Sequence, residues 1–300
     1  MRNIFSVDLE DWYQLICRRL SGKLPGSRAD CVDRQLDTLL PLLARHNTKA
    51  TFFVLGMLAR SAPALVKKVA AEGHEIACHG DQHNLVYRMS PKEFEDDTRR
   101  AKELLEDIVG VPVRGYRAAE FSVRNSSLWA LEVLARLGFA YDSSIFPVRH
   151  RRYGIPDFDP RVMRYDLPGG LHLTEIPLTT IAVAGSKLPF AGGGYFRLAP
   201  LSTIQGGIAR LNRKGMPVVT YFHPYEFDPV DLDIFQLMRP ANWRERLGGM
   251  RFNFHQNLGR RGLARKIDRV LSQAEFTTCW EFLNDVELDQ SRELLSAAGR

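Results

Sequence analysis

The chain has 300 residues, 45% hydrophobic and 25% charged, with a formal net charge of +6. This balance excludes a disordered chain and suffices for a large core without covalent staples. No run of 18 apolar residues occurs, which excludes a membrane-spanning helix, and the four cysteines form no CxxC pair and read as reduced thiols.

The N-terminus runs straight into a strand, Ile4 to Asp8, without an apolar signal core, which predicts a cytoplasmic protein. Leu36, Leu39, Leu40 and Leu43 then recur at helical spacing, and Ala50 to Gly56 is an apolar strand ending in glycine. A helix follows from about Ala62 to Glu72, closed by Gly73, and His74 to His79 is the next strand. Ser90, Pro91 and Glu93 form the capping pattern of a helix that runs to about Gly110. Arg114–Ala118 reads as a strand, Asn125 opens a helix, Phe139–Asp142 is a short strand, and Pro217–His223 is an apolar strand ending in histidine.

Alternating strands and helices predict parallel strands with helices outside, and chemistry at the C-terminal strand ends. Between about Val148 and Arg197, Pro156, Pro160, Pro168, Pro177 and the run Gly192-Gly193-Gly194 break the rhythm and predict loops and short strands at the barrel mouth. The segment after about Ile234 reads as helical and basic: nine basic residues stand between Arg239 and Arg269 against two acidic ones. Such a patch suits an anionic partner, such as a phosphate-linked sugar or the inner membrane face, or is simply a solvated helical face. It lacks a nucleic-acid recognition pattern, and no nucleic acid is expected.

Three polar clusters fall where strands end. Asp8, Glu10 and Asp11 put three carboxylates in four residues, which repel one another unless a cation lies among them. His79 and His83, four apart after a strand, suit two imidazoles on one metal, as on one face of a helical turn. His223 ends the last apolar strand. Taken singly, each is more often an acidic turn, a chance pair or a structural histidine. Together, one carboxylate and two histidines form a three-ligand site with room for water; a further carboxylate can act as base, a histidine as acid, and Arg117 can hold the base. His74, five residues upstream, reads as structural.

These residues resemble the motifs of the polysaccharide deacetylase family, the NodB-homology carbohydrate esterases, over roughly Ile4 to Asp228. Asp8-Leu9-Glu10-Asp11, Ala50-Thr51-Phe52-Phe53, His79-Gly80-Asp81-Gln82-His83, Gly115-Tyr116-Arg117-Ala118-Ala119-Glu120, Tyr141-Asp142-Ser143-Ser144 and Tyr221-Phe222-His223-Pro224 are similar to its ordered motifs. Residues 5–12, 192–197 and 221–226 are more narrowly similar to a bacterial exopolysaccharide-locus subgroup with a basic C-terminal extension. The resemblance implies an α/β fold, a distorted (β/α)7-type barrel over 1–230, with a helical extension over 231–300. It implies metal-dependent N-deacetylation of an acetamido sugar, nucleotide- or lipid-linked or an exopolysaccharide unit. Asp8 resembles the base, His223 the acid, Arg117 the partner of the base, and His79 and His83 metal ligands. A backbone N–H near Glu120 would help hold the oxyanion.

The third ligand stays open. Strand alternation puts Asp8 and Glu10 on one face, favouring Glu10, whereas a strand ending at Leu9 would let Asp11 swing in. Zinc is the expected ion; cobalt, nickel or iron suits the same donors. Ala119 and Glu120 stand where family members often carry proline and tyrosine, and the extra carboxylate would bind a cationic group or raise the acid's pKa. Trp12, Glu120, Phe121, Asp142 and Tyr195 are the expected substrate contacts. Rival readings are another C–N hydrolase on the same scaffold, such as one opening cyclic imides, or a non-catalytic sugar-binding protein.

Overall fold

The structure, a computed structural model, describes all residues except 184, 237, 288–290 and 294–300. Strands β1 (Ser6–Leu9), β2 (Thr51–Val54), β3 (Glu75–Cys78), β4 (Gly115–Tyr116) and β5 (Tyr141–Asp142) lie side by side in parallel, in chain order. The antiparallel hairpin of β6 (Met163–Leu167) and β7 (Leu171–Glu175) follows, with β7 parallel to β5. On the free edge of β1, Ile4 and Val7 bridge in parallel to Val219 and Phe222, and Tyr221 bridges to Gly192. The predicted strand 217–223 therefore closes the ring through isolated bridges, giving a distorted (β/α) barrel.

Register and alternation assign the two faces. Val7 pairs with Phe52 and Leu9 with Val54, and these four pack outward against the helices. Asp8 pairs with Phe53, which pairs with Ala77, so Asp8 shares the inward face with the barrel filling of Phe53, Ala77, Tyr141 and Val219. Gly115 faces Tyr141 so closely that a Cβ there would lie 2.0 Å from the ring.

The outer helices are α1 (Trp12–Ser21), α2 (Ala29–Arg45), α3 (Pro63–Ala71), α4 (Pro91–Val109), α5 (Trp129–Arg136) and α6 (Leu201–Asn212). The Ser90–Glu93 capping box starts α4 as its sequence predicts, and Gly110 ends it in the left-handed region. Helix α1 has no counterpart in the predicted elements; Asp11 caps it, accepting from the Tyr13 and Gln14 N–H groups.

The C-terminal segment contributes α7 (Trp243–Asn257), α8 (Leu263–Leu271) and α9 (Cys279–Asp285). Leu263, Ile267, Val270, Leu271 and Phe276 belong to the same core as β1 and α2. Residues 276–277 pair in parallel with Asn3–Ile4. Beneath the barrel, Thr51 Oγ1 accepts from the Cys279 N–H and donates to Glu75, whose carboxylate also receives the Trp280 N–H and the Tyr141 hydroxyl. Among the described residues, no helix is long and apolar enough to cross a membrane.

Candidate active site

The C-terminal ends of β1, β3 and β4 and the 217–223 segment meet at one cavity of about 410 Å³. Asp8 is buried on the inward face, and its Oδ1 accepts from Arg117 Nη1 at 2.8 Å. Arg117 is fully buried, and Ser6 and Ser143 take its remaining donors. Its guanidinium lies 3.9 Å from the centre of the Phe53 ring. An arginine with every nitrogen bonded and one face on an aromatic ring cannot swing, so it fixes the Asp8 carboxylate.

Two residues on, Glu10 faces three imidazoles. Its Oε2 lies 3.0 Å from His83 Nε2 and 3.7 Å from His79 Nε2, and its Oε1 lies 3.4 Å from His223 Nε2. Burial alone would raise the Glu10 carboxyl, but the charges of His83, His223 and His79 and the His83 hydrogen bond bring it down to about 2. Donor atoms of Glu10, His79 and His83 lie within 4.8 Å of one another. His79 Nδ1 is engaged with the Arg117 carbonyl at 2.8 Å, leaving Nε2 for the cluster, the arrangement a metal-binding histidine takes. Burial pushes the His79 imidazole down, toward the neutral form that ligates. Apart from the approach of His83 Nε2, Glu10 Oε2 is buried without a hydrogen-bond partner. An orphaned buried carboxylate oxygen beside two imidazoles fits a divalent cation.

His79 and His83 do not share a helical turn, as their spacing predicts. They flank a loop in which Gly80 and His83 have positive φ, 74° and 55°. Asp81 locks this loop: it is buried, its N–H donates to Asp97, and its carboxylate accepts from Arg60 at 2.7 Å.

His223 is set by Glu226. The His223 N–H donates to Glu226 Oε2 at 3.1 Å, and that oxygen lies 3.8 Å from His223 Nδ1. Burial by itself would lower the imidazole; the Glu226 hydrogen bond and the charges of Glu10, Asp8 and Glu226 outweigh it and raise His223 to about 9. Arg197 Nε stands 3.4 Å from Glu226 Oε1.

Residues 30–141 match the family described as Polysaccharide deacetylase, and residues 143–284 match a Domain of unknown function (DUF3473). Over residues 30–141 the chain carries a polysaccharide deacetylase domain. A chitooligosaccharide deacetylase of Bradyrhizobium sp. (strain ANU 289) is 27% identical over 45% of this chain and 61% of its own length. A peptidoglycan-N-acetylglucosamine deacetylase of Bacillus cereus is 33% identical over 31% of this chain and 34% of its own. The chain thus spans less than two thirds of these curated relatives. A crystal structure assigned as a polysaccharide deacetylase from Mycobacterium smegmatis superposes with a TM-score of 0.61 at 21% identity, covering 97% of this chain and 91% of that one. That likeness shows the fold.

Several expected contacts lie elsewhere. Asp11 is not in the Glu10 cluster: besides capping α1, its Oδ2 accepts from the Arg28 N–H at 2.5 Å and the Ser27 hydroxyl at 3.2 Å. With both oxygens of Asp11 engaged there, it is Glu10 that meets His79 and His83. Asp142 does not reach the cavity either. It is fully buried, accepts from the Ser144 N–H and hydroxyl, and shares a hydrogen bond with Glu175. Burial raises both carboxyls, so the pair holds a proton between them. Its neighbours Ser143 and Ser144 receive Arg117 and the Ala118 N–H, so this motif braces the arginine.

Trp12 lines the cavity but is only 4% exposed, its ring stacked on Phe252 at 5.1 Å; it is a wall and not an open platform for a sugar face. Its Nε1 is buried and lacks a partner. Phe121 lies on the cavity wall against Tyr221. Tyr195 is 40% exposed and contacts Tyr153, which itself lines the cavity.

Glu120 stands at the cavity rim between Arg19 and Arg152, both of which donate to its carboxylate. Its charge is thus spent on the chain's own arginines, and it is not among the groups that raise His223. Glu120 and Phe121 both adopt φ of 52°, an unusual pair of left-handed residues outside glycine. Beyond Glu120 lies a larger hollow of about 1020 Å³ that shares His83, Glu120 and Arg152 with the cavity and adds Arg18, Arg88, Arg100 and Arg151.

Glu226, Arg197 and Tyr153 escaped sequence reasoning. Glu226 had a signal: His223, Pro224 and Glu226 stand at the N-cap, first and third positions of a turn, where a glutamate folds back on the capping N–H.

Proposed function

We propose that this chain hydrolyses the acetamido group of an N-acetylated sugar, cleaving the C–N bond to release acetate and leave an amine. The observation that carries the reading is the convergence of Asp8–Arg117, Glu10–His79–His83 and His223–Glu226 on one cavity. Bound among Glu10, His79 and His83, a divalent ion, zinc by donor preference with cobalt, nickel or iron close behind, would lower the pKa of a water and polarise the acetyl carbonyl. Asp8, held in place by Arg117, takes the proton from the attacking water. His223 carries a proton near neutral pH and delivers it to the departing nitrogen. The Glu120 N–H, in a left-handed turn at the cavity rim, would join the ion in holding the oxyanion. The unpartnered Trp12 Nε1 is a donor for a sugar hydroxyl or carbonyl.

A phosphate-linked substrate is favoured by the neighbouring hollow, where Arg88 and Arg151 stand in a wall that also holds Glu93, Asp96 and Asp97. The test is metal content followed by acetate release. The protein should carry about one divalent ion per chain, lost in His79→Ala and in His83→Ala. It should then release acetate from UDP-linked or lipid-linked acetamido sugars. A protein that takes up no metal on reconstitution with zinc or cobalt overturns the mechanism and leaves the sugar-binding reading. One that takes up metal yet releases acetate from neither class, while opening cyclic imides, moves the activity to the other C–N hydrolases.

A further inference from the structure

Helix α7 turns a stripe of large apolar side chains to solvent. Trp243, Leu247, Met250 and Phe254 are 69%, 57%, 54% and 65% exposed, and Leu258 just beyond the helix is 44% exposed. Their spacing of four, three, four and four residues keeps them in one line about 22 Å long. The exposure is not a loose helix waiting to pack. Its opposite side is seated: a Cβ on Gly249 would lie 2.6 Å from Phe235, Phe252 stacks on Trp12, and Asn253 bonds to the Ile234 N–H and Asp233.

Arginines border the stripe on both flanks. At 100° per residue Arg246 falls on one side and Arg244 and Arg251 on the other, all three exposed. The helix holds one acid, Glu245, turned back onto the Asn242 cap and the Ala241 N–H. A convex apolar ridge edged with cations and topped by tryptophan matches the interfacial zone of an anionic bilayer. A protein groove would have to supply acids along both edges.

We infer that α7 is a docking face for an anionic lipid surface. Because Phe252 and Gln256 on its inner side line the site cavity, docking sets that cavity about one helix diameter, ~10 Å, from the headgroup layer. The binding itself needs no substrate and stands apart from the hydrolase reading.

The experiment is co-sedimentation of the full chain with phosphatidylglycerol–phosphatidylcholine vesicles and with phosphatidylcholine vesicles. Two variants accompany it: Leu247→Gln with Phe254→Gln, and Arg246→Gln with Arg251→Gln. Retained melting temperatures, expected for exposed positions, certify their folds. The parent should bind the anionic vesicles alone, more weakly as salt rises. The apolar variant should bind at least about tenfold more weakly, and the arginine variant should lose most of the salt dependence. Absence of binding overturns the inference, and so does binding that neither variant changes. A parent that dimerises in sedimentation velocity while the apolar variant stays monomeric also overturns it, making the ridge an interface between copies of this chain.

Discussion

Arg117 and Asp8 form a buried ion pair in which the arginine alone is fully enclosed, and such pairs are costly to break from one side. Arg117→Met should lower unfolding free energy by about 3 kcal/mol or more, read from urea denaturation, because it strands the Asp8 carboxylate. The double variant Asp8→Asn with Arg117→Met should recover part of that loss while staying inactive. Glu226→Gln should keep the fold and the His223 N–H acceptor but remove the charge that sustains the imidazolium. Its kcat should fall about tenfold or more with KM little changed, measured in steady-state acetate release. The residues that meet at the cavity were legible because they are rare polar groups at strand ends. The choice between Glu10 and Asp11 was not, since alternation permits one and a strand end the other. It turns on Asp11 serving as a helix cap, a role its position before Trp12-Tyr13-Gln14 also fits.

At the scale of elements, close approaches decide what the site tolerates. A Cβ on Gly193 would lie 1.9 Å from Glu226 Oε2, so this glycine admits the carboxylate behind His223, while Gly192 admits the Tyr221 ring. Gly193→Ala should therefore reproduce the kcat loss of Glu226→Gln, whereas Gly194→Ala, whose nearest neighbour is 3.7 Å away, should stay near parent activity in the same assay. Long helices were legible from leucine spacing and caps. The hairpin of β6 and β7 was legible only as unplaced short strands among loops, because prolines and glycines hide alternation over five-residue strands. The HxxxH turn was misjudged in shape because spacing alone does not distinguish a helical turn from a loop pinned by a buried aspartate.

For the whole molecule, the +6 charge proves poorly informative about partners. Arg260 is buried and donates to the Tyr225, Asp228 and Val230 carbonyls; Lys266 donates to those of Phe196, Arg197 and Ala199. These two basic residues hold loops together, something composition cannot reveal. Stability should also depend on pH through a residue far from the chemistry. Burial, helped by Lys49, lowers His74 from 6.5 to about 4, and its Nδ1 accepts from the Ala50 N–H. The unfolded chain binds a proton between those values that the folded chain refuses. Stability is thus complete above pH 6.5 and declines as pH falls toward 4, by about 3 kcal/mol in all. His74→Gln, which can still accept from Ala50, should flatten that part of a stability-against-pH curve measured by thermal or urea melts.

The pairing of Asn3–Ile4 with Phe276–Thr277 sets an order of events during synthesis. The Asn3 N–H finds its acceptor on Glu275, and the Phe5 N–H finds its own on Thr277. The strand at Asn3–Ile4 therefore waits for a segment 272 residues further along before its outer edge is satisfied. Contacts so distant in sequence form slowly and leave a nascent barrel with an open seam. A ribosome stalled near residue 270 would hold a sheet whose first edge is still unpaired, a natural target for a chaperone that covers extended backbone.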